Sequence, residues 1–242
     1  MINANVGAVI GKRYFEIKMD IIANNLSNAN TAGYKSVRLY LSDLSPVAEA
    51  EHEKQRVTLP DLRAIDSYID FSAGPIVETG NPLDLAIDGE GFFVIMRPEG
   101  RAYTRAGQFT LNAQRMLVTP DGLPVLGEQG EIFIQGSDVK IERDGSIFVD
   151  GNPVGKLRLA DFQDKRSLKP IGKGLYVNTD PRNVESLPKR AEVRQGYIET
   201  SNVNVIRELT EMIIVLRAFE MYTRVEQMQS ESKAKLFETL RF

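Results

Sequence analysis

The last forty residues of the chain place apolar side chains at helical spacing without a break. Ile206, Leu209, Ile213 and Leu216 follow one another at steps of three and four residues, and neither glycine nor proline occurs from Val203 onward. This spacing predicts one face of an α-helix. Because each residue adds about 1.5 Å, a helix of about 35 residues is roughly 50 Å long. A helix of this length extends beyond an ordinary compact domain and needs a partner along its apolar stripe.

A second helical pattern lies near the N-terminus, where apolar residues recur at the same steps. They are Val6, Ile10, Tyr14, Ile17 and Ile21, and the charged residues lie mostly between them. In the C-terminal helix, either Asn202 or Asn204 is suited to cap the first turn, and Glu208 has the charge that this end favours. Long amphipathic helices are therefore predicted on both sides of the middle of the chain.

Between these helices, from about Gly74 to Gln195, the pattern changes to short apolar runs such as "LDLAI", "FFVIM" and "SIFV". Turn residues separate the runs, and Asp-Gly occurs in "DGEG", "PDG", "RDG" and "DGN". The glycine after the aspartate supplies the positive φ that tight hairpin turns require. Many short strands with closely spaced turns predict an antiparallel β-sandwich or β-barrel.

The predicted fold class is α+β, with an N-terminal and a C-terminal helix paired as a coiled coil and a central antiparallel β-rich domain inserted between them. Neither helix has a helical neighbour in sequence, so pairing with each other is the simplest way to bury both stripes. The alternative is that both helices fold onto the β domain. The predicted boundaries are residues 1–35 for the N-terminal helix, 36–73 for an extended connection, 74–198 for the β domain and 199–242 for the C-terminal helix.

The composition excludes several classes of function. The chain has no cysteine, which rules out disulfides, thiolate zinc sites and cysteine nucleophiles. Its single histidine, His52, lies in the charged segment "EAEHEKQ", where a solvated loop residue is expected rather than a catalytic base. The net charge of -3 gives no electrostatic case for nucleic acid. No apolar run approaches the ~20 residues that cross a bilayer, and no cleaved secretion signal is recognisable, so no membrane insertion is predicted.

Motifs that would support catalysis are weak. Gly89 and Gly91 in "DGEG" lack the third glycine and the following helix of a dinucleotide-binding loop. Asp84, Asp88 and Glu90 alternate with apolar residues, as on the solvated face of a sheet. A glycosidase pair among these acids, and hence a cell-wall hydrolase, is the catalytic alternative. The sequence predicts no enzyme activity, no cofactor and no metal site.

Three stretches, in order along the chain, resemble the signatures of bacterial flagellar rod and hook proteins. The first is "IIANNLSNANTAGYKS", the second is "TGNPLDLAIDGEGFFVI" with "AYTRAGQFTLNAQRMLVTPDGLPVLG", and the third is "VRQGYIETSNVNVIRELTEMIIVLRAFEMYTR". Within the family the chain most resembles the proximal-rod branch, because the interval before "LDLAI" lacks the glycine-rich part of the distal-rod insert. A distal-rod or hook-basal-body protein of the same family is the alternative.

The resemblance implies a structural subunit of the flagellar basal-body rod. It implies an inner helical domain that polymerises into the axial tube, which transmits torque and surrounds the export channel, with the β domain outside. The implied partners are copies of the chain, other rod proteins and the flagellar export apparatus. The implied location is the rod in the periplasm, reached by type III export without a cleaved signal peptide. A secreted β-rich binding module is the alternative from a different class.

The asparagine-rich stretch and the helical stripes supply the predicted assembly interface. A helix that stops leaves backbone groups without partners, and four nearby asparagines are suited to satisfy them or to bond an adjacent subunit. The C-terminal stripe, extended to Phe219, is predicted to pair with the N-terminal one, and Met212 lies on a flank that stays apolar. The full set is Val6, Ile10, Tyr14, Ile17, Ile21, Asn24, Asn25, Asn28, Asn30, Ile206, Leu209, Met212, Ile213, Leu216 and Phe219. The resemblance also implies that Arg105 in "YTRAG" holds the β domain or a subunit contact, with a plain surface arginine as the alternative.

Overall fold

The structure, a computed structural model, describes residues 2–41 and 65–239, which form two compact units. Unit 1 contains the described residues of 1–27, 37–69 and 204–242. Unit 2 contains residues 28–36 and 70–203. Most of the predicted extended connection, residues 42–64, lies outside the described residues. The predicted domain boundaries stay a prediction.

Unit 1 consists of two long helices and a two-stranded ribbon. Helix α1 is Ile2–Ser27, and helix α2 is Val205–Thr239. The 35 residues of α2 confirm the length predicted from its uninterrupted spacing. Strands β1 (Val37–Leu41) and β2 (Ile65–Ile69) pair antiparallel as the ribbon.

An asparagine cap sets the start of α2. The side-chain oxygen of Asn204 accepts the Arg207 N–H at 3.0 Å, and its backbone carbonyl accepts the Glu208 N–H at 3.0 Å. Of the two predicted caps, Asn204 is confirmed. Asn202 lies in unit 2, where its side-chain oxygen accepts the Ser36 N–H at 2.8 Å.

The α+β class is confirmed, but the coiled coil predicted from the two apolar stripes is wrong. The sides that α1 and α2 turn towards each other carry Glu208, which accepts a hydrogen bond from Asn25 at 3.3 Å, and Tyr222. The predicted stripe of α2 lies on the other side of the helix, where Ile206 is 78% exposed and Ile213 is 55% exposed. An apolar stripe shows where a helix is apolar, but it does not show which neighbour covers that face.

Unit 2 is built from short antiparallel strands and one turn of 3₁₀-helix at Lys165–Ser167. The strands are β3 (Ile76–Glu78), β4 (Leu85–Gly89), β5 (Phe92–Arg97), β6 (Gly100–Thr104), β7 (Thr110–Leu111), β8 (Leu117–Val118), β9 (Leu126–Gly127), β10 (Gly130–Glu131), β11 (Val139–Ile141), β12 (Ser146–Val149), β13 (Asn152–Lys156), β14 (Leu159–Ala160), β15 (Leu168–Gly172), β16 (Leu175–Asn178), β17 (Ala191–Gln195) and β18 (Tyr197–Glu199). The largest sheet has the order β14-β5-β6-β16-β15, and β11, β12 and β13 form a second sheet. The other strands pair two by two, β3 with β18, β4 with β17, β7 with β8 and β9 with β10. These pairings confirm the predicted antiparallel β-rich middle.

The core of unit 2 comes from the apolar runs that mark the strands in the sequence. Leu85 of β4 and Phe93 and Ile95 of β5 are all fully buried. The rings of Phe93 and Phe109 meet edge to face with centroids 5.1 Å apart. Asp150–Gly151 joins β12 to β13 with φ values of 51° and 80°, the positive pair that a two-residue hairpin requires. The Asp-Gly signal is confirmed at this turn.

Tyr103 in β6 holds its hydroxyl proton unusually tightly. The hydroxyl donates to Glu185 Oε2 at 3.1 Å, and the ring packs edge to face on Phe162 with centroids 4.7 Å apart. Burial, together with the negative charge of Glu185, raises the pKa of Tyr103 from 10.0 to about 12. Ionisation of this hydroxyl is therefore disfavoured in the folded state.

Tyr103→Phe is expected to remove part of the loss of stability at high pH. In the wild type, the raised pKa of Tyr103 contributes to the stability of the folded state in full below pH 10.0. This contribution disappears as the pH rises to about 12, because the unfolded chain releases the proton first. Thermal unfolding followed by circular dichroism across this range measures the effect. Tyr68→Phe, at an exposed tyrosine of unit 1, serves as the control and keeps the wild-type slope. An equally steep fall in Tyr103→Phe would contradict the prediction.

Candidate assembly interface

The facing sides of α1 and α2 pack closely around one aromatic ring. Gly11 lies so near Tyr222 that a Cβ at position 11 would be 2.6 Å from Tyr222 Cε1. The ring of Phe15 packs against the same ring, with centroids 5.4 Å apart. Further along, Ile22 of α1 and Val215 of α2 are each 2% exposed. On α2 the side that faces α1 therefore includes Val215 and Tyr222.

Ion pairs accompany this packing. Lys18 Nζ lies 2.7 Å from Glu211 Oε1, and Lys12 Nζ lies 3.6 Å from Glu226 Oε2. Although burial lowers it, the pKa of Lys18 is raised overall, chiefly by its hydrogen bond to Glu211. Because these side chains are partly exposed, each pair contributes only about 0–1 kcal/mol. The facing sides of the helices are thus considerably more polar than the predicted stripes.

Asn25 joins three elements of unit 1 through one buried amide. It donates to the Val37 carbonyl at 2.9 Å and accepts the Val37 N–H at 2.9 Å, as a neighbouring strand would. The amide also donates to Glu208 Oε2 at 3.3 Å, while Arg38 donates to Glu208 Oε1 at 2.7 Å. Glu208 is fully buried, so its charge depends on these two donors. Asn25 therefore serves the fold of unit 1.

The other asparagines of the stretch have more local surroundings. Asn28, in unit 2, accepts the Thr31 N–H at its carbonyl at 3.1 Å and the Thr31 hydroxyl at Oδ1 at 3.3 Å. Asn24 and Asn30 are exposed. A role for the asparagines in bonding an adjacent subunit stays a prediction.

The structure separates the predicted stripe residues into three groups. Half-buried are Tyr14, Ile17, Ile21, Met212 and Phe219. Exposed are Ile206, Leu209, Ile213 and Leu216. The side chains of Val6 and Ile10 lie outside the described part of the chain. The four exposed residues cannot pair with α1 inside unit 1, which corrects that part of the prediction.

The four exposed stripe residues lie on one side of α2, which we call the outward face of α2. It consists of the apolar residues Ile206, Leu209, Ile213, Ile214, Leu216 and Met221 and the exposed charged residues Arg217, Glu220 and Arg224. The apolar members are between 46% and 78% exposed. Soluble monomers seldom leave so many large apolar side chains together in water, and such surfaces mark interaction sites.

Unit 2 contains a second arrangement, a cluster of buried charges. Lys35 Nζ donates to Glu199 Oε1 at 2.5 Å and to the Ser72 carbonyl at 2.6 Å. The Gly74 N–H donates to the same Glu199 oxygen at 2.8 Å. The other oxygen, Oε2, accepts no hydrogen bond among the described residues and lies 3.6 Å from Arg105 Nε. We call Lys35, Arg105 and Glu199 the buried junction.

The buried junction connects several segments of the β domain. Arg105 also donates to the carbonyls of Ile87, at 3.2 Å, and of Gly89. Burial lowers the pKa of both Lys35 and Arg105, and the charge of Glu199 opposes this effect. The three side chains are at most 5% exposed, so they are inaccessible to a partner or a substrate. The burial of Arg105 shows that the surface alternative is wrong, and its contacts are those expected of a residue that holds the β domain.

Lys35, Glu199 and Glu208 are important residues that apolar spacing did not identify. Each lies inside one of the quoted signature stretches, in "GYKS", "GYIET" and "VIRELT". The available signal was a charged residue among apolar and small neighbours. That signal does not give the partner, because Lys35 and Glu199 are 164 residues apart.

Among the described residues, no group of three or more histidine and carboxylate side chains is arranged to hold a metal ion. Over its described length, neither helix is long and apolar enough to cross a membrane.

Three family models match parts of the chain. Residues 15–35 match a model described as flagella basal body rod protein. Residues 86–149 match the flagellar hook protein FlgE/F/G D1 domain, and residues 194–236 match the flagellar basal body rod FlgEFG protein C-terminal domain. The matched ranges contain the three quoted signatures in large part.

Curated relatives match over nearly the full length. The flagellar basal-body rod protein FlgG of Agrobacterium fabrum is 33% identical, over 90% of this chain and 92% of the relative. The rod protein FlgF of Caulobacter vibrioides is 34% identical, over 92% and 91%. FlgG of Bacillus subtilis is 30% identical, over 93% and 94%. Relatives with the two names are thus similar to the chain to nearly the same degree.

Proposed function

Because the chain belongs to the family of flagellar basal-body rod proteins that includes FlgF and FlgG, and is a structural subunit of the rod, we propose that it assembles through the outward face of α2. Its place is the flagellar basal-body rod, together with other rod and hook-basal-body proteins. The observation that carries the proposal is the exposure of Ile206, Leu209, Ile213 and Leu216 on one side of a 35-residue helix.

Apolar burial supplies the affinity in this proposal. Each Å² of apolar surface removed from water contributes about 25 cal/mol. A subunit that touches several neighbours combines these contributions, so pairwise contacts that are weak alone become strong in the assembled rod. The helices of many copies line the axial tube, which transmits torque and surrounds the export channel.

The finer position and route are part of the same proposal. The chain occupies the proximal rod, a position supported by the interval before "LDLAI", which lacks a glycine-rich insert. It reaches the periplasm through the flagellar export apparatus without a cleaved signal peptide.

Leu209→Asp is expected to block rod assembly while leaving the subunit folded. Leu209 is 49% exposed, so the charge costs little in the monomer, but it would be buried without a partner in the assembled interface. In a strain that lacks the gene, basal bodies should end within the proximal rod. The wild-type gene should restore complete rods. Leu209→Asp should yield at least about tenfold fewer complete rods, the effect expected if the free energy of association is weakened by about 1.4 kcal/mol or more.

Val184→Asp is the matched control, because Val184 is 73% exposed and lies in unit 2. It is expected to restore rods as well as the wild type does. Circular dichroism of both purified variants checks that they are folded. Normal rods built from Leu209→Asp would refute the proposed interface, and basal bodies that end in the distal rod would refute the proximal position.

A further inference from the structure

The side-chain amide of Asn202 joins three segments of unit 2 that are far apart in sequence. Its oxygen accepts the Ser36 N–H at 2.8 Å, and its nitrogen donates to the Asp70 carbonyl at 2.8 Å. The same nitrogen lies 3.2 Å from the Ser72 carbonyl and 3.1 Å from the Ser72 hydroxyl. Asn202 and Ser36 are 166 residues apart, so these bonds connect separate stretches of the chain. We call Ser36, Asp70, Ser72 and Asn202 the amide clamp.

Backbone hydrogen bonds join the same three segments. The Asn202 N–H donates to the Tyr34 carbonyl at 3.4 Å, and the Asp70 N–H donates to the Ser36 carbonyl at 2.8 Å. Together with the bonds of the amide, they leave each segment hydrogen-bonded to both of the others.

The amide clamp lies where the chain passes out of unit 2. The chain moves from unit 2 to unit 1 after Ser36, returns at Asp70 and leaves again after Val203. Only the passage between Ser27 and Asn28 is made elsewhere. Three of the four passages therefore begin or end at the amide clamp or next to it.

A side-chain amide suits this position because it has both an acceptor and a donor. The oxygen is needed for the Ser36 N–H, and the nitrogen is needed for the Asp70 carbonyl. An aspartate at position 202 would keep the acceptor, but it would place a carboxylate oxygen against the Asp70 carbonyl. An alanine would remove both partners.

We propose that Asn202 is a positioning residue that locks three passages of the chain into one stiff base, so that these segments carry the load on a rod subunit together. A single extended segment is a hinge, because each of its residues has two soft dihedral angles. Segments that are bonded to one another cannot turn about one such angle unless the bonds break. The inference rests on the proposed function for the torque that the rod transmits.

Hydrogen exchange of the full-length chain, followed by NMR, tests the amide clamp. In Asn202→Ala the Asp70 N–H keeps its own acceptor, the Ser36 carbonyl, so faster exchange there reports separation of the segments. We expect exchange at Asp70 to be at least about tenfold faster than in the wild type, because a net hydrogen bond changes a local opening equilibrium by about this factor. Asn202→Asp, which loses the donor alone, should also accelerate it. Unchanged exchange at Asp70 in these variants would overturn the inference.

Asn178→Ala is the matched control, because Asn178 is also half-buried in unit 2. Its oxygen accepts the Asp180 N–H at 3.3 Å, and its nitrogen donates to the Asn183 carbonyl at 2.7 Å. This variant loses similar bonds away from the amide clamp, so exchange at Asp70 should stay at the wild-type rate. Equal acceleration in Asn178→Ala and Asn202→Ala would indicate a general loss of stability and would overturn the inference.

Swimming in media of increasing viscosity tests the load. Asn202→Ala leaves the outward face of α2 unchanged, so it should build complete rods in wild-type number, but its cells should lose swimming as the viscosity rises. Asn178→Ala should swim as the wild type does. Wild-type swimming of Asn202→Ala at high viscosity would overturn the inference. A shortage of complete rods would also overturn it, because the amide clamp would then act in assembly.

The two measurements keep this inference separate from the proposed interface. Hydrogen exchange is measured on the isolated chain, so its result does not depend on which surface assembles the rod. Normal rods built from Leu209→Asp would refute the outward face of α2 and leave the result at Asp70 unchanged.

Discussion

Replacing Glu199 by glutamine is expected to lower the free energy of unfolding by about 3–5 kcal/mol, because it leaves two buried cations, Lys35 and Arg105, without their anion. The substitution keeps nearly the same side-chain volume, so the loss reports on charge rather than on a cavity. Urea unfolding followed by circular dichroism measures it, since the midpoint falls while the slope stays the same. The chain has no tryptophan, so fluorescence is the less suitable probe.

The pH dependence of this variant distinguishes charge from packing. Burial lowers the pKa of Lys35 below its ordinary 10.5, and without Glu199 nothing as close opposes that effect. The folded variant then releases the Lys35 proton at a lower pH than the unfolded chain does. Its stability relative to the wild type should therefore rise as the pH approaches 10.5. A loss of stability that is the same at every pH would indicate disturbed packing instead.

Glu192→Gln is the matched control, because its side chain is 58% exposed on a strand of the same unit. It should change stability by no more than about 0.5 kcal/mol. Lys35→Met combined with Glu199→Gln should cost less than the sum of the two single changes, since the pair is removed together. If Glu199→Gln were as stable as the wild type, the buried junction would not hold unit 2 together.

Local chemistry made much of the fold predictable. The turn at Asp150–Gly151 needs positive φ at neighbouring residues, and that requirement is visible in the dipeptide itself. The cap at Asn204 depends only on a side chain reaching the first turn of its own helix. The first four residues of β5 (Phe92–Arg97) form a continuous apolar run because all four are buried. In each case the residues that decide the structure are close together in sequence.

The packing of α2 was not predictable in the same way. The side that meets α1 carries Glu208, Glu211 and Tyr222, while the more apolar side faces outwards. Apolar spacing shows which face of a helix is the most apolar. In a subunit that assembles, that face can be the one that a neighbouring subunit covers. Buried polar contacts, such as that between Asn25 and Glu208, then set the packing inside the subunit. This explains why the predicted coiled coil was wrong while an apolar face was correctly identified.

The contacts within the buried junction could not be predicted from the sequence, for a different reason. Lys35, Arg105 and Glu199 each lie in a separate signature stretch, so their presence in the sequence is obvious once the stretches are recognised. Which charges meet depends on β18 pairing with β3 and on the path of residues 28–36 in unit 2. Chain connectivity of this kind does not follow from spacing or composition. The only indication of their contact was that two of the residues are cations and the third is an anion.

Gly33→Ala is expected to lower the free energy of unfolding by about 2–5 kcal/mol, the second large effect in unit 2. Gly33 has a φ of +66°, and a Cβ there would lie 2.2 Å from the backbone nitrogen of Ala106. Its N–H donates to the Glu199 carbonyl at 2.7 Å, so the residue cannot move away without losing that bond. Urea unfolding under the same conditions as for Glu199→Gln measures the loss.

Gly80→Ala separates the cost of the left-handed backbone from the cost of the steric clash. Gly80 has a φ of +73°, but a Cβ there would have no atom within 4 Å. It should cost only the left-handed backbone term of about 1–2 kcal/mol. The excess cost of Gly33→Ala then measures how closely the backbone of "TAGYKS" approaches the backbone of "YTRAG". Equal losses in the two variants would mean that position 33 needs a glycine only for its backbone angle. A larger loss at Gly33 would mean that the glycine of the first signature is also required for this close approach of the two backbones.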